Sequence, residues 1–195
     1  MASRNAEPPD EVLVLASILG NLGAFDVLVT RYRAAVVRAA QAIVGREYAE
    51  DVAQDALLLA FKALPSIEDP TKFAAWLAAI TRNRALRFGK RERQRQTGRV
   101  ELDEFLLEHV GALAHPAADD RGDDELKQAL ESVSADYALV LKLRFLDEMP
   151  LKRIAAFLGV SLPTVKWRVY RGKQLLREQV ELLRQRGDKW KEIEK

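Results

Sequence analysis

The sequence predicts an all-α protein with two small helical domains joined by a flexible acidic linker. Apolar residues recur every three or four positions along most of the 195 residues, and this spacing places them on one face of a helix. Glycine and proline, which interrupt helices, are sparse at 10 and 7 residues. Charge is the third observation, since a net charge of only +2 conceals a basic segment followed by an acidic one. The change of sign marks the boundary between the domains.

The first half of the chain contains the first domain. We expect residues 1–23 to form a loose arm and a short helix, since the first ten residues offer nothing to pack. Residues 24–96 form the domain itself, with one helix over residues 24–44 ended by Gly45, a second from residue 47 or 48 to residue 64, and a third from near residue 71. The second helix buries Val52, Ala56, Ala60 and Phe61, and the third carries a stripe of Phe73, Trp76, Leu77 and Ile80, in which Trp76 fits either the core or a base-contacting surface.

The third helix runs into a basic segment that precedes an acidic one. Residues 82–95 contain seven Lys or Arg and one acidic residue. A row of cations this dense is either a solvated helix end or a contact to a polyanion. Residues 101–125 contain nine acidic residues and one Arg, so we expect a flexible linker over residues 97–123. The acidic composition of the linker fits a solvated spacer and a functional segment equally well. Its apolar residues 105–113 are compatible with a short helix.

The second domain is predicted over residues 124–183, followed by a tail at residues 184–195, and residues 151–177 have the pattern of a helix-turn-helix. Its first helix would bury Ile154, Ala155 and Leu158. Gly159 supplies the positive φ of the turn, and Ser161 can cap the second helix. The second helix would place Val165, Val169 and Leu176 in the core and turn outward Lys166, Trp167, Tyr170, Arg171 and Gln174. This outward face suits the major groove of DNA, and the alternative is a helical hairpin whose aromatics pack elsewhere on the chain.

Composition excludes several functional classes. The chain has no cysteine, which excludes disulfides and thiolate metal sites. Residues 1–11 lack the features of a secretion signal, and the apolar run at residues 12–19 is too short to cross a bilayer, so we expect a cytoplasmic protein without membrane insertion. His109 and His115 lie in the linker with no nucleophile or ligand set beside them. We therefore expect no enzyme activity, metal, cofactor or small-molecule substrate.

Three motifs, in order along the chain, carry a family resemblance. The helix before Pro65 reads AEDVAQDALLLAFKAL, in which Asp51, Gln54 and Asp55 share a polar face. The next helix has a WL-x-x-I-x-x-N pattern formed by Trp76, Leu77, Ile80 and Asn83, and the helix-turn-helix has TVKWRVYR at residues 164–171. Together these motifs resemble the extracytoplasmic-function group of bacterial RNA polymerase sigma factors. The domain at residues 24–96 resembles sigma region 2, and the domain at residues 124–183 resembles region 4.

For the first domain the resemblance implies two tasks. The face of Asp51, Gln54 and Asp55 would bind core RNA polymerase at the clamp helices of its largest subunit. The domain would also open the duplex at the −10 promoter element and hold an unstacked base, which requires cations for the backbone and a surface for the base. The candidate −10 residues are Ser66, Ile67, Glu68, Asp69 and Thr71 in the loop and Arg82, Asn83, Arg84, Arg87, Lys90 and Arg91 on the following helix.

For the second domain the resemblance implies recognition of the −35 promoter element as duplex DNA. The candidates for the major groove are Thr164, Lys166, Trp167, Tyr170 and Arg171, with Arg168 and Lys173 nearer the phosphates. In this family the linker threads toward the active-site and RNA-exit channels of the polymerase, where an acidic segment can mimic nucleic acid. An anti-sigma factor is a further expected partner.

Two positions depart from the family pattern. Arg87 stands where the family commonly has an acidic residue, which puts a base-specific role at that position in doubt. Trp167 stands where the family often has a small residue, so it should either alter the −35 preference or pack against a phosphate-sugar edge. The alternatives are a stand-alone helix-turn-helix regulator, whose first domain senses a ligand or dimerises, and a helical module that binds acidic proteins. Binding to core polymerase distinguishes a sigma factor from the regulator, and crosslinking to promoter DNA in the presence of core distinguishes it from the module.

Overall fold

The computed structural model describes residues 7–97 and 124–193, and its side chains over residues 7–95 and 128–183. This part of the chain forms eight α-helices and two short 3₁₀ turns without any strand, which confirms the all-α prediction. The helices are α1 (Asp10–Ile18), α2 (Leu22–Val44), α3 (Arg46–Ala63), α4 (Phe73–Thr97), α5 (Asp124–Ser132), α6 (Ala135–Phe145), α7 (Leu151–Leu158) and α8 (Leu162–Ile193), and the 3₁₀ turns are Leu64–Ser66 and Pro70–Lys72. The predicted linker, with its histidines and residues 105–113, falls outside the described residues except for the end of α4.

Helices α1 to α4 enclose the core of the first domain because each presents one apolar stripe to the others. The largest fully buried side chains of this domain are Val14, Leu28, Tyr32, Val36, Val52, Leu64, Phe73 and Leu77. Helix α2 begins two residues earlier than predicted because Asn21 caps it, its side-chain oxygen accepting from the N–H of Ala24 at 3.2 Å. Gly45 ends α2 with a φ of 79°, a conformation that favours glycine.

The connection between α3 and α4 has defined turns. The first 3₁₀ turn places Leu64 in the core. Asp69 caps the second turn, because one of its carboxylate oxygens accepts from the backbone N–H of Thr71 at 3.0 Å and from the Thr71 hydroxyl at 2.6 Å. Phe61 does not point inward as predicted. Its ring lies exposed at the domain surface and packs on Phe25, with ring centroids 4.9 Å apart.

Helices α5 to α8 form the second domain, in which α7 and α8 are the two helices of the predicted helix-turn-helix. Gly159 ends α7 in the left-handed region at a φ of 65°, and the Ser161 hydroxyl oxygen accepts from the N–H of Thr164 at 3.2 Å at the start of α8. Ile154 and Ala155 are buried as predicted, whereas Leu158 is half-buried. Helix α8 continues to Ile193, so the backbone that we predicted as a frayed tail is helical in residues 184–193.

Helix α8 approaches α6 closely at Gly172. A Cβ atom at this glycine would lie 3.2 Å from Cδ1 of Leu141 and 3.3 Å from Cβ of Tyr137. Contacts of that length are shorter than ordinary van der Waals separation. The lack of a side chain at Gly172 therefore sets the distance between the two helices, and with it the position of the face that α8 presents to solvent.

The two domains share one hydrophobic core, which the sequence did not predict. Helices α2 and α4 of the first domain contact α6 and α7 of the second. Phe157 of α7 is only 1% exposed and lies in the same apolar cluster as Tyr32 and Phe73 of the first domain. Periodicity places Phe157 on the apolar side of α7, but it does not say which helices cover that side.

Residues 7–10 also differ from the predicted loose arm. Asp10 accepts from Nη1 of Arg31 at 2.7 Å and from the hydroxyl of Tyr32. Glu7 lies 3.4 Å from Nη2 of Arg31 and 3.4 Å from Nη2 of Arg153. The carboxylates of Glu7 and Asp10, rather than apolar side chains, attach this segment to the protein. The prediction of a loose arm considered only apolar packing and therefore missed these contacts.

Candidate nucleic-acid interface

Helix α3 presents a polar face opposite its buried stripe. Asp51 and Gln54 are exposed and Asp55 is half-buried, whereas the opposite face buries Val52, Ala56 and Ala60. Leu58, four residues after Gln54, lies on the same side of the helix as the three polar residues and is 51% exposed. Leu58 is absent from the predicted site, although the spacing that groups the three polar residues would have found it. The face is therefore polar at one end and apolar at the other.

Asp55 of this face is paired with Arg84 of α4. Arg84 donates from Nε and Nη2 to the same carboxylate oxygen of Asp55, with an Nε to Oδ2 distance of 3.0 Å. Both side chains are partly exposed. A residue predicted to contact polymerase and a residue predicted to contact DNA are thus partners of each other, and the pair holds both side chains in one arrangement.

The basic half of α4 presents its polar side chains on one face. Asn83, Arg87, Lys90 and Arg91 follow one another at intervals that keep them on the same side of a helix, and all four are exposed. Arg82 is also exposed and lies beside this face. A row of solvated cations raises the local positive potential and suits the phosphate backbone of a nucleic acid.

The connection before α4 holds the remaining candidates for the −10 element. The hydroxyl of Ser66 donates to the carbonyl oxygen of Ala63 at 2.7 Å, and Asp69 accepts from Thr71. The hydrogen bonds from Thr71 and the contact with Lys72 hold the pKa of Asp69 below its usual range, so this carboxylate is ionised and engaged. Ile67 is half-buried and Glu68 is exposed, which leaves these two side chains at the rim of the connection.

The outward face of α8 combines aromatic and cationic side chains. Trp167 and Tyr170 are 56% and 63% exposed, and Lys166 and Lys173 are exposed. The Trp167 ring packs on Tyr137 with centroids 5.9 Å apart, and the Lys173 ammonium lies 5.2 Å from the centre of the Phe145 ring. The aromatics therefore touch the rest of the chain only in part, which favours the groove-reading interpretation over a simple hairpin.

A short chain of hydrogen bonds orders this face. Nη1 of Arg171 donates to Oε1 of Gln174 at 3.2 Å, and Nε2 of Gln174 donates to the Tyr170 hydroxyl at 2.9 Å. Arg171 is half-buried, so its guanidinium is oriented by a neighbour. The Thr164 hydroxyl lies 2.7 Å from that of Ser161 and belongs to the cap of α8.

Arg168 lies apart from this face. Its Nη2 is 3.3 Å from Oδ2 of Asp136, and its side chain is mostly buried. Arg168 and Asp136 line an open cavity of about 670 Å³ between the two domains, together with Arg82 and Asn83 of α4 and apolar residues such as Leu139. The ion pair with Asp136 thus holds Arg168 at this cavity.

Neither a metal site nor a membrane span is found in the described parts of the chain. Over residues 7–97 and 124–193, no three His, Asp or Glu side chains are grouped closely enough to hold a metal ion. No helix in these ranges combines the length and the apolar character that crossing a bilayer requires.

Both domains match known sequence families. Residues 28–95 match the family described as Sigma-70 region 2, and residues 123–176 match the family described as Sigma-70, region 4. The first match covers most of α2 and α4 and all of α3, with the polar face of α3 and the cations of α4. The second covers the helix-turn-helix and the outward face of α8. The two families occur in the order that the motifs indicated, and together they span more than half of the chain.

Whole-chain comparisons agree with these matches. The chain is 29% identical over 184 residues to the ECF RNA polymerase sigma-E factor of Escherichia coli strain K12, covering 89% of this chain and 95% of the relative. It is 28% identical over 161 residues to the ECF RNA polymerase sigma factor SigE of Mycolicibacterium smegmatis, covering 79% of this chain and 60% of the relative. The solved structure of CnrH in complex with the cytosolic domain of CnrY has a similar fold, with a TM-score of 0.54 at 24% identity, covering 89% and 97% of the two chains. The chain belongs to the sigma-70 family and is an RNA polymerase sigma factor of the extracytoplasmic-function group.

Proposed function

We propose that the two domains of this sigma factor divide promoter recognition between three helices. Helix α3 binds the clamp helices of the largest polymerase subunit, α4 and the connection before it open the −10 element, and α8 reads the −35 element. One observation carries the proposal: three exposed faces of different chemistry lie on three different helices. The α3 face is polar and apolar, the α4 face is cationic, and the α8 face is aromatic and cationic. Each composition suits a different partner.

The α3 face has the composition of a protein–protein contact. Asp51 and Gln54 offer polar groups at its rim, and Leu58 offers an apolar side chain that loses its water when a partner covers it. Asp55 contributes charge, but it shares that charge with Arg84. We therefore assign the main share of polymerase affinity to Gln54 and Leu58.

The α4 face and the preceding connection suit strand opening at the −10 element. Arg87, Lys90 and Arg91 bind backbone phosphates, and the Asn83 amide is available for a base edge. Ser66, Asp69 and Thr71 have internal hydrogen-bond partners, so they keep the connection in shape, and Ile67 and Glu68 form the rim that meets an unstacked base. Arg82 joins the phosphate contacts when its side chain leaves the cavity, and Arg84 joins them when it leaves Asp55.

The α8 face suits the duplex at the −35 element. Lys166 and Tyr170 project from the helix, and Arg171 is oriented toward a base edge by Gln174. Trp167 covers the sugar-phosphate edge of the groove, and Lys173 lies toward the phosphates. An oriented guanidinium loses little conformational entropy on binding, so we assign base discrimination mainly to Arg171.

A further proposed partner is an anti-sigma factor. The solved relative CnrH is described in complex with the cytosolic domain of CnrY. An inhibitor of this chain would cover the α8 face or the α3 face, because the exposed apolar area of Trp167, Tyr170 and Leu58 is available there. The proposed activity takes place in the cytoplasm, where core polymerase meets promoter DNA.

The proposal is tested by core binding and by transcription in vitro. With core polymerase, the full chain should initiate transcription at specific promoters. Combining Gln54→Ala with Leu58→Ala should weaken core binding about tenfold or more, which corresponds to about 1.4 kcal/mol, because the two side chains to which we assign the main share of the affinity are removed. Arg33→Ala serves as the control, since Arg33 is exposed on α2 and pairs with Glu50. A chain that binds promoter duplexes equally well without polymerase, and gives no transcript with it, would be a stand-alone regulator.

A further inference from the structure

One side of α6 lies along the outward face of α8. Tyr137, Leu141 and Phe145 follow one another at intervals of four, which places them on the same side of α6. Each of them meets a different position of α8, and these positions are, in order, Trp167, Gly172 and Lys173. Helix α6 therefore borders the proposed −35 face at three successive turns, although it lies outside the helix-turn-helix.

Tyr137 restricts the position of the Trp167 side chain. The two rings lie with their centroids 5.9 Å apart and their planes tilted by 54°, which is the geometry of a favourable aromatic pair. Trp167 is 56% exposed, so solvent surrounds much of the rest of its ring. An exposed side chain on a helix otherwise exchanges between staggered rotamers. The contact therefore holds the indole on the side of α8 that faces α6.

Tyr137 is itself fixed by the backbone of α8. Its Cβ atom lies 3.3 Å from the point where a Cβ of Gly172 would stand, so the two helices touch at the root of the tyrosine side chain. The neighbouring Asp136 lies 3.3 Å from Nη2 of Arg168 and links the same turn of α6 to α8 a second time. The Tyr137 ring thus projects from an anchored position and cannot follow a movement of Trp167.

The position of the indole matters for Arg171. Arg171 follows Trp167 by four residues, so the two side chains are neighbours on the surface of α8. A guanidinium stacks favourably on the face of a tryptophan ring, and an indole that turned along the helix would cover the guanidinium of Arg171. In the structure Trp167 packs on Tyr137, and Nη1 of Arg171 donates to Oε1 of Gln174 at 3.2 Å. The contact with Tyr137 therefore competes with stacking of the indole on Arg171.

We propose that Tyr137 is a positioning residue that determines specificity for the −35 element without contacting DNA. It holds Trp167 at the border of the α8 face, where the indole covers the sugar-phosphate edge of the groove, and it leaves the Arg171 guanidinium open to a base. The inference rests on the proposed function, because it needs α8 to read the −35 element. Trp167 stands where the family often has a small residue, so this arrangement belongs to the present chain rather than to the helix-turn-helix in general.

Transcription by the full chain with core polymerase, from a promoter library randomised at the −35 element, tests this role. Tyr137→Ala should relax base selection at the positions that Arg171→Ala relaxes, and it should lower transcription from the preferred promoter about threefold to tenfold. Tyr137→Phe keeps the ring and should select as the wild type does. Leu139→Ala should leave selection unchanged and is the matched control, because Leu139 is a half-buried residue of the same helix that lines the cavity between the domains. Tyr137→Leu, which has no aromatic ring, replaces Tyr137→Ala if that variant does not fold.

Removal of Trp167 shows whether Tyr137 acts through it. In Trp167→Ala no indole can cover Arg171, so selection at the bases that Arg171 reads should persist, although the contact with the groove edge is lost. Adding Tyr137→Ala to Trp167→Ala should change nothing further, and the double variant should regain the selection that Tyr137→Ala alone relaxes. An equal loss from Tyr137→Ala in the presence and in the absence of Trp167 would overturn the proposal, because it would show a general effect on the domain. Wild-type selection by Tyr137→Ala would overturn it as well.

The motion of Trp167 in the free protein separates this proposal from the proposed function. The chain has three tryptophans, so Trp76→Phe with Trp190→Phe leaves Trp167 as the only one. Fluorescence anisotropy decay should show fast local motion of the indole after Tyr137→Ala and not after Tyr137→Phe. Unchanged motion in Tyr137→Ala would overturn the positioning role. Wild-type −35 selection by Arg171→Ala would instead overturn the assignment of α8 to this element.

Discussion

Asp55 and Arg84 link α3, for which we propose a polymerase contact, to α4, for which we propose a DNA contact, because two guanidinium nitrogens of Arg84 donate to one carboxylate oxygen of Asp55. The pair orients Arg84 and partly neutralises Asp55. Any polymerase group that competes for Asp55 would release Arg84 toward DNA. Under the proposed function, the positive charge that α4 offers to a promoter would therefore depend on what α3 binds.

Substitution of each partner separates their roles. Asp55→Ala should weaken core binding by at least about 1 kcal/mol if its carboxylate contacts polymerase, whereas Arg84→Ala should leave core affinity unchanged. Each variant loses a surface pair that contributes at most about 1 kcal/mol to stability. Titration of each variant with core polymerase measures the difference in affinity. Wild-type affinity in both variants would restrict Asp55 to positioning Arg84.

The cations of α4 should determine how promoter binding responds to salt. Each phosphate contact releases a counterion, so Lys90→Gln and Arg91→Gln should each reduce the slope of log affinity against log salt by about 1. The measurement is binding of the holoenzyme to one promoter over a series of salt concentrations. Arg33→Gln should leave the slope as it is. An unchanged slope in the α4 variants would remove these residues from the phosphate contacts.

Two glycines inside helices should respond oppositely to substitution. Gly172→Val should lower the free energy of unfolding by about 1–3 kcal/mol, because its Cβ would press on Leu141 and Tyr137. Gly89→Ala should raise it by up to about 1 kcal/mol, since the nearest atom to its Cβ, on Val44, lies 3.9 Å away and alanine favours the helix. Urea denaturation measures both changes. Stabilisation of the protein by Gly172→Val would contradict the close approach of α8 to α6.

Lys142 should destabilise the protein at neutral pH. Its burial and the positive charge of Arg38 lower its pKa, and these effects exceed the opposite effect of Glu131. The folded state therefore binds this proton less readily than the unfolded state, so stability should rise as pH increases through the pKa of the folded state toward that of the unfolded one. Lys142→Met should raise Tm at neutral pH, by about 2–4 °C for each 1 kcal/mol relieved.

Thermal unfolding from neutral to alkaline pH measures the effect of Lys142. The gap in Tm between Lys142→Met and the wild type should narrow as the pH rises. Lys152→Met, at an exposed position on α7, is the matched control and should show neither effect. A difference in Tm between the variant and the wild type that stays constant with pH would show that packing rather than charge causes the stabilisation.

Local spacing was sufficient to predict the helices and most of their faces. The buried positions of α2 recur at the helical period, and Gly45 and Gly159 end helices with positive φ, as their place in the sequence suggests. The exposure of Asp51, Gln54 and Tyr170 follows from the same period, because a helix that buries one stripe exposes the opposite one. These features depend only on residues within a few turns of each other.

Contacts between distant residues could not be predicted in this way. Asp55 and Arg84 are 29 positions apart, and Arg38 and Asp147 are 109 apart. A charged residue stands at the same exposed positions of the helical repeat whether its side chain contacts DNA or pairs with another residue of the protein. Phe157 shows the same limit for apolar residues, since its partner Tyr32 belongs to the other domain.

Transcription by core polymerase from a library randomised at both promoter elements tests most directly whether the two domains read different elements. Lys166→Ala with Arg171→Ala should change the bases selected at the −35 element and leave those at the −10 element, with each lost base contact costing about 1–3 kcal/mol. Asn83→Ala should do the reverse. Altered −10 selection in the α8 variant, or −35 selection identical to the wild type, would contradict the assignment of α8 to the −35 element.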